Sequence, residues 1–257
     1  MSIPPTIVFD LDGTLVDTAE DLVTTLNAVL AAEGMAPVSL QSAIGMVGSG
    51  ARVLIEAAFA AEGRTLTPAM LDRLVTDYLA IYDAHIADAS RPYPGARAAL
   101  DQFAAAGWAM AVCTNKFEAP ARKLLRILDL DRYFAAITGQ DTFGFRKPDP
   151  RHLTEAIRLA GGETKRAVMV GDSRTDVDTA IAARIAVVVV DYGYSPLPVA
   201  SLGATAVIAS LDALYDAVSR LPAFVAMTGA RRSVGRVRGR NRDGSRPRLC
   251  PRPVTHD

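Results

Sequence analysis

Cysteine is nearly absent from this chain of 257 residues, which holds only Cys113 and Cys250, far apart and in unlike surroundings. That scarcity excludes a disulfide framework and a cysteine-built zinc site, and it fits a reducing compartment. Long hydrophobic runs are absent too, since no stretch approaches the roughly 18 to 20 apolar residues that span a bilayer. The opening MSIPPTIVFD has no basic segment followed by a long apolar run, so no secretory signal is expected. These absences predict a cytoplasmic protein with no membrane partner.

Net charge is also missing, because 28 basic residues cancel 28 acidic ones. The balance conceals two unlike pieces. Residues 229–257 contain nine arginines against two aspartates, a charge of +7, which leaves −7 on the rest of the chain. This tail is rich in Arg, Gly and Pro, has almost no apolar periodicity and cannot build a core, so it is expected to be disordered. Three readings of it compete: an arm for nucleic-acid phosphates, a solvated extension, and the product of a shifted reading frame in a GC-rich gene. The last two rank above nucleic-acid contact.

Half of the residues are hydrophobic, enough for one sizeable core and a smaller accessory module. Short apolar runs at 6–9, 109–113, 167–170 and 186–190 read as parallel strands buried on both faces, because apolarity is continuous rather than alternating. Segments with helical spacing lie between them. In 96–106, Leu100 and Phe103 fall three apart and Gly107 supplies a C-cap. Strand–helix alternation implies a doubly wound α/β layer.

One interval breaks this rhythm. From Asp17 to about Arg91 only helical patterns occur, among them Leu22, Leu26, Val29 and Leu30 on one stripe. Thr67 followed by Pro68 marks the start of a long amphipathic helix carrying Leu71, Leu74, Val75, Tyr78 and Tyr82. A helical module inserted after the first strand would sit over the strand's C-terminal end, where open α/β sheets bind ligands.

The run IVFDLDGTLVD puts Asp10 and Asp12 at that strand end, with Gly13 opening the turn. Two carboxylates so close repel each other, so a cation is expected beside them. An oxygen-rich site of this kind suits Mg²⁺. The alternative is an acidic surface turn without function.

DLDGTLVDT resembles the first signature of the haloacid dehalogenase superfamily, in its phosphatase branch. Three further segments appear in that family's order: Thr114-Asn115 after the strand AMAVC, Lys147 in GFRKPDP, and GDSRTD with Asp172 and Asp176. The resemblance covers 7–221 and implies a Rossmann-like catalytic core over 1–16 and 92–222, a helical cap over 17–91 and a basic tail over 223–257. Hinge strands are expected near 15–17 and 91–94.

By the same resemblance, Asp10 attacks phosphorus to form an aspartyl-phosphate, and Asp12 serves as general acid and then base. Asp10, Asp12, Asp172 and Asp176 form the Mg²⁺ site, with Asp176 either supporting a metal-bound water or capping the next helix. Lys147 offsets the charge of Asp10 and the phosphoryl group. Thr114 binds phosphoryl oxygens, and Asn115 orients the nucleophile or substrate.

The substrate implied is a small phosphate monoester. GTLVDT, the segment GMVGSGARVL and DYGYS are most similar to phosphoglycolate phosphatases, which makes 2-phosphoglycolate the leading expectation. Sugar-phosphate or nucleotide hydrolysis is the runner-up and a phosphosugar mutase a further alternative. In the cap, Gly48 and Gly50 would let the backbone approach the ligand, and Arg52 would meet a substrate carboxylate, unless it is a solvated helix residue. His85, Trp108 and His152 read as packing or surface residues. The oligomeric state is not legible in the sequence.

Overall fold

A computed structural model describes residues 3–225. The arginine-rich segment 226–257 and Cys250 lie outside the described residues. The chain opens with β1 (Thr6–Phe9) and the short β2 (Val16–Asp17), then runs through α1 (Ala19–Ala32), α2 (Leu40–Ala43), α3 (Ala51–Ala61) and α4 (Pro68–Ala84). It returns through β3 (Arg91–Pro92) into α5 (Ala96–Ala105), β4 (Ala109–Cys113), α6 (Glu118–Ile127), β5 (Ala136–Thr138) and α7 (Pro150–Leu159). The described residues close with β6 (Ala167–Gly171), α8 (Arg174–Ala182), β7 (Ala186–Val190), β8 (Ala206–Ile208) and α9 (Leu214–Ser219).

The six longer strands form one parallel sheet in the order β5-β4-β1-β6-β7-β8. Successive side chains of a strand point to opposite faces, and here both faces are covered. Ile7, Phe9, Val168 and Val170 belong to one apolar cluster, which extends through Leu100, Phe103, Leu124 and Leu214 of the helices on that side. Val8, Met169, Val187 and Val189 belong to the other, with Leu153, Ile157 and Val177 of α7 and α8. That double burial is why these strands read as unbroken apolar runs.

Where the sequence reading expects hinge strands, β2 and β3 form a two-stranded antiparallel ribbon in which Val16 faces Pro92 and Asp17 faces Arg91. Between its strands, α1 and α3 pack on α4 around Leu26, Leu54 and Tyr78, and Tyr78 donates its hydroxyl to the Leu22 carbonyl at 3.1 Å. Thr67 caps α4 by accepting the Met70 N–H. Asp21, a buried carboxylate of α1, fastens the return of the chain by accepting both the N–H and the hydroxyl of Ser90. No helix among the described residues is long and apolar enough to cross a membrane.

Candidate active site

The three central strands end side by side: Phe9 of β1 is in register with Val112 of β4 and Val170 of β6. Beyond those ends stand Asp10, Thr114 and Asp172, all buried. Asp12 follows one turn later, and Lys147 arrives from the loop between β5 and α7. Residues scattered over most of the sequence thus meet at one edge of the sheet, at its C-terminal end.

Lys147 is enclosed by carboxylates. Its Nζ lies 2.9 Å from Asp10 Oδ1 and 2.7 Å from Asp176 Oδ1. Against the downward push of burial, these two anions raise the lysine above its ordinary range, so it is held charged. Asp10 Oδ1 also accepts the Leu11 N–H at 2.7 Å. The lysine backbone is placed as well, because its N–H donates to Nδ1 of the fully buried His152 at 3.2 Å.

Asp176 does two jobs. Oδ1 meets Lys147, while Oδ2 accepts the N–H and hydroxyl of Ser173 in a capping box at the start of α8. Of the two roles expected for Asp176, helix capping is therefore present in full. Its carboxylate also remains within the acidic cluster.

Asp172 is fixed through both oxygens. Oδ1 accepts the Thr14 hydroxyl at 3.0 Å and Oδ2 the Tyr194 N–H at 2.7 Å. The turn at Gly13 has φ +82°, and a Cβ there would stand 2.6 Å from Asp172 Oδ2. Glycine at this position both permits the backbone conformation and leaves room for the carboxylate.

Asp10, Asp172 and Asp176 each offer an oxygen within 4.8 Å of the others. Burial, with the charges of Asp176 and Asp12 adding to it and Lys147 opposing it, pushes Asp10 up to about 7. Burial and the neighbouring Asp176 and Asp10 push Asp172 up to about 8. With every group ionised, the carboxylates of Asp10, Asp12, Asp172 and Asp176 face two buried ammonium groups, those of Lys147 and Lys116, and two negative charges remain. An all-oxygen donor set with that surplus fits a hard divalent cation.

Thr114 accepts the Lys116 N–H at Oγ1, 3.1 Å away, which leaves its hydroxyl hydrogen to donate. Asn115 donates from Nδ2 to the Lys147 carbonyl at 3.2 Å, and its Oδ1 is buried without a partner among the described residues.

The sequence reading did not single out Lys116. It is nearly buried, with Nζ 3.1 and 3.3 Å from the two oxygens of Asp12 and 4.5 Å from the centre of the Tyr82 ring. Asp12 Oδ1 accepts the Thr18 hydroxyl as well, at 2.8 Å. The signal available was adjacency, since Lys116 directly follows Thr114-Asn115, but a sequence does not distinguish a buried lysine from a solvated one.

Above Asp12 and Lys116 a narrow cleft lies between core and cap, with Gly48, Gly50, Leu54 and Tyr78 in its lining. Gly48 and Gly50 have φ +89° and +93°, and a Cβ on Gly50 would stand 3.1 Å from the Asn115 carbonyl oxygen, so the cap backbone does come close to the core here. Arg52 does not join them. It pairs with Asp72 of α4 on the outer face of the cap, and the cleft lining passes from Ala51 to Leu54 without it. Ala51 and Leu54 share one face of α3, and Arg52 is turned about 100° away from Ala51.

The model of the haloacid dehalogenase-like hydrolase family matches residues 7–190. The chain is 55% identical over 210 residues to a phosphoglycolate phosphatase of Mesorhizobium japonicum, covering 82% of this chain and 92% of that one. It is 47% identical over 214 residues to a phosphoglycolate phosphatase of Agrobacterium fabrum, with 83% and 92% covered. Its fold matches the crystal structure of a predicted phosphoglycolate phosphatase from Haemophilus somnus with a TM-score of 0.77 at 27% identity, over 84% of this chain and 98% of that one.

Proposed function

The chain belongs to the haloacid dehalogenase-like hydrolase family as a phosphatase of phosphate monoesters, and on that footing we propose that it hydrolyses 2-phosphoglycolate to glycolate and phosphate, with Asp10 as nucleophile and Mg²⁺ as the bound cation. The observation that carries the mechanism is the meeting of Asp10, Asp12, Lys147 and Asp172 in one buried cluster at the C-terminal end of the sheet, from which Asp12 also lines the cleft. The substrate is proposed from the relatives' names. A cytoplasmic location and the division into core (1–16 and 92–222) and cap (17–91) are part of the same proposal.

In this scheme a carboxylate oxygen of Asp10 attacks phosphorus while the ester bond to the glycolate oxygen breaks. Asp12 gives its proton to that oxygen, then takes one from the water that cleaves the aspartyl-phosphate. Lys147, held charged between Asp10 and Asp176, offsets the negative charge on the phosphoryl oxygens. Thr114 donates its spare hydroxyl hydrogen to one of those oxygens, and Asn115 keeps the Lys147 loop against the site. Asp10, Asp172 and Asp176 would hold Mg²⁺, which when bound supplies further positive charge for the transferring phosphoryl group.

The test is phosphate release from a panel of monoesters that includes 2-phosphoglycolate, sugar phosphates and nucleotides, with and without Mg²⁺. A strong metal-dependent preference for 2-phosphoglycolate is the expected result. Turnover directed to sugar phosphates overturns the substrate, and full activity in Asp10→Asn overturns the covalent mechanism.

A further inference from the structure

Arg52 was the cation expected for a substrate carboxylate, yet it lies outside the cleft on Asp72. The cleft lining contains two charged side chains, Asp12 and Lys116, and the rest of its wall is largely apolar, with Met46, Val47, Leu54 and Leu79 among it. Lys116 is thus the positive group of the chamber. We propose that Lys116 is the specificity-determining residue for the substrate's carboxylate, an assignment that rests on the 2-phosphoglycolate reading above.

The two lysines of the site pair with different carboxylates. Lys147 lies between Asp10 and Asp176, on the side where the phosphoryl group is transferred. Lys116 lies against Asp12, the group that protonates the leaving oxygen. In 2-phosphoglycolate a single methylene separates that oxygen from the carboxylate, so an anion placed for proton transfer from Asp12 brings its second charge within about 3 Å of a donor beside Asp12.

Lys116 is also prepared for such a partner. Its backbone N–H is fixed on Thr114 Oγ1, and its ammonium sits over the Tyr82 ring. An ammonium has three donors, so it can hold Asp12 and a ligand carboxylate together. Without Lys116, the substrate's carboxylate would enter a largely apolar pocket with no positive side chain of the lining to offset its charge. The apolar wall adds discrimination of its own. A sugar phosphate would bury hydroxyl groups against Val47, Leu54 and Leu79, which offer them no hydrogen bonds.

The experiment compares kcat/KM for 2-phosphoglycolate and for ethyl phosphate, which carries a methyl group in place of the carboxylate, in the wild type and in Lys116→Met with Mg²⁺ present. The preference for 2-phosphoglycolate should fall about 10- to 100-fold in the variant, the size of one charged hydrogen bond. A lysine that only supports Asp12 would lower both substrates together and leave the ratio intact, which would overturn the assignment. Removing Lys116 alone strands a buried carboxylate and risks the fold. Asp12→Asn is therefore compared with the Asp12→Asn, Lys116→Met double variant, which removes both charges, by calorimetric binding of the same two ligands. The same loss of preference is expected there, and a preference that survives refutes the assignment. A wild type with no preference for 2-phosphoglycolate overturns the substrate reading itself and this assignment with it, an outcome distinct from a wild-type preference that Lys116→Met retains.

Discussion

The Lys147 ammonium stands 2.9 Å from Asp10 Oδ1, at the end of a strand on which nearly every neighbour is apolar. Each charge is buried; the lysine is offset by both Asp10 and Asp176, whereas Asp10 is offset by the lysine and repelled by Asp176. Such a pair adds little net stability when intact, but breaking it from one side leaves an uncompensated charge.

Lys147→Met should therefore cost the fold about 3 kcal/mol, because Asp10 and Asp176 are then buried together without a cation. Adding Asp176→Asn should recover part of that loss. Denaturant unfolding of the single and double variants checks this, and a single variant as stable as the wild type would show that the two carboxylates do not need the lysine.

Replacing the proposed nucleophile gives a sharper outcome. Asp10→Asn keeps the size of the side chain and should lower phosphate release by at least about four orders of magnitude, the scale seen when a covalent catalyst is removed. Acid quenching during turnover should trap phosphate on the wild-type protein and none on the variant. Trapped phosphate on Asp10→Asn would move the covalent role to another residue.

Divalent cations should stabilise the folded chain independently of turnover, since the surplus negative charge of the acidic cluster exists only when the sheet brings Asp10, Asp172 and Asp176 together. At a hundredfold excess over its dissociation constant, Mg²⁺ should add about 2.7 kcal/mol. The melting temperature should rise with Mg²⁺, fall back with a chelator, and respond far less in Asp172→Asn. An equal rise in Asp172→Asn would place the ion elsewhere.

His152 introduces a pH dependence of a defined sign. Burial first, and then the Lys147 charge, lower this imidazole to about 4 from an ordinary value of 6.5, so it is neutral in the folded protein. The unfolded chain takes up a proton below about pH 6.5 that the folded chain refuses. The corresponding stability, about 3 kcal/mol, is fully present above that pH and lost as pH falls towards 4. In His152→Gln that portion of the acid limb should flatten, and parallel pH–stability curves for variant and wild type would rule the imidazole out as its source.

Much of this protein was legible because its chemistry sits at strand ends. The runs beginning at Thr6, Ala109, Ala167 and Ala186 are apolar apart from Thr6 itself, as strands covered on both faces must be, and the carboxylates following three of them, Asp10, Asp172 and Asp191, stand out by contrast. The strands at the two sheet edges were missed. Ala136–Thr138 and Ala206–Ile208 are three residues each, too short for any period to register, and Val207 is exposed. In the cap, Gly48 and Gly50 line the cleft as expected, whereas Arg52 takes the solvated alternative for a related reason. A helix facing a cleft differs from one facing water by a rotation of one residue, and Arg52 falls on the wrong side of that rotation. Lys116 was passed over, and His152 was read only as packing or surface, because burial, not residue type, gives them their roles.

The ribbon joining Val16 to Pro92 and Asp17 to Arg91 has a consequence for how such a molecule can be assembled. Everything between its strands leaves the sheet and re-enters it at one point, with the two ends already clamped. The closure entropy of an excursion grows only logarithmically with its length, so the core is nearly indifferent to how many residues the excursion holds. The helices between β2 and β3 should therefore behave as a cassette. They can be lengthened, shortened or exchanged without shifting the register of β1 against β4 and β6, and selectivity can drift while the carboxylates below stay where they are.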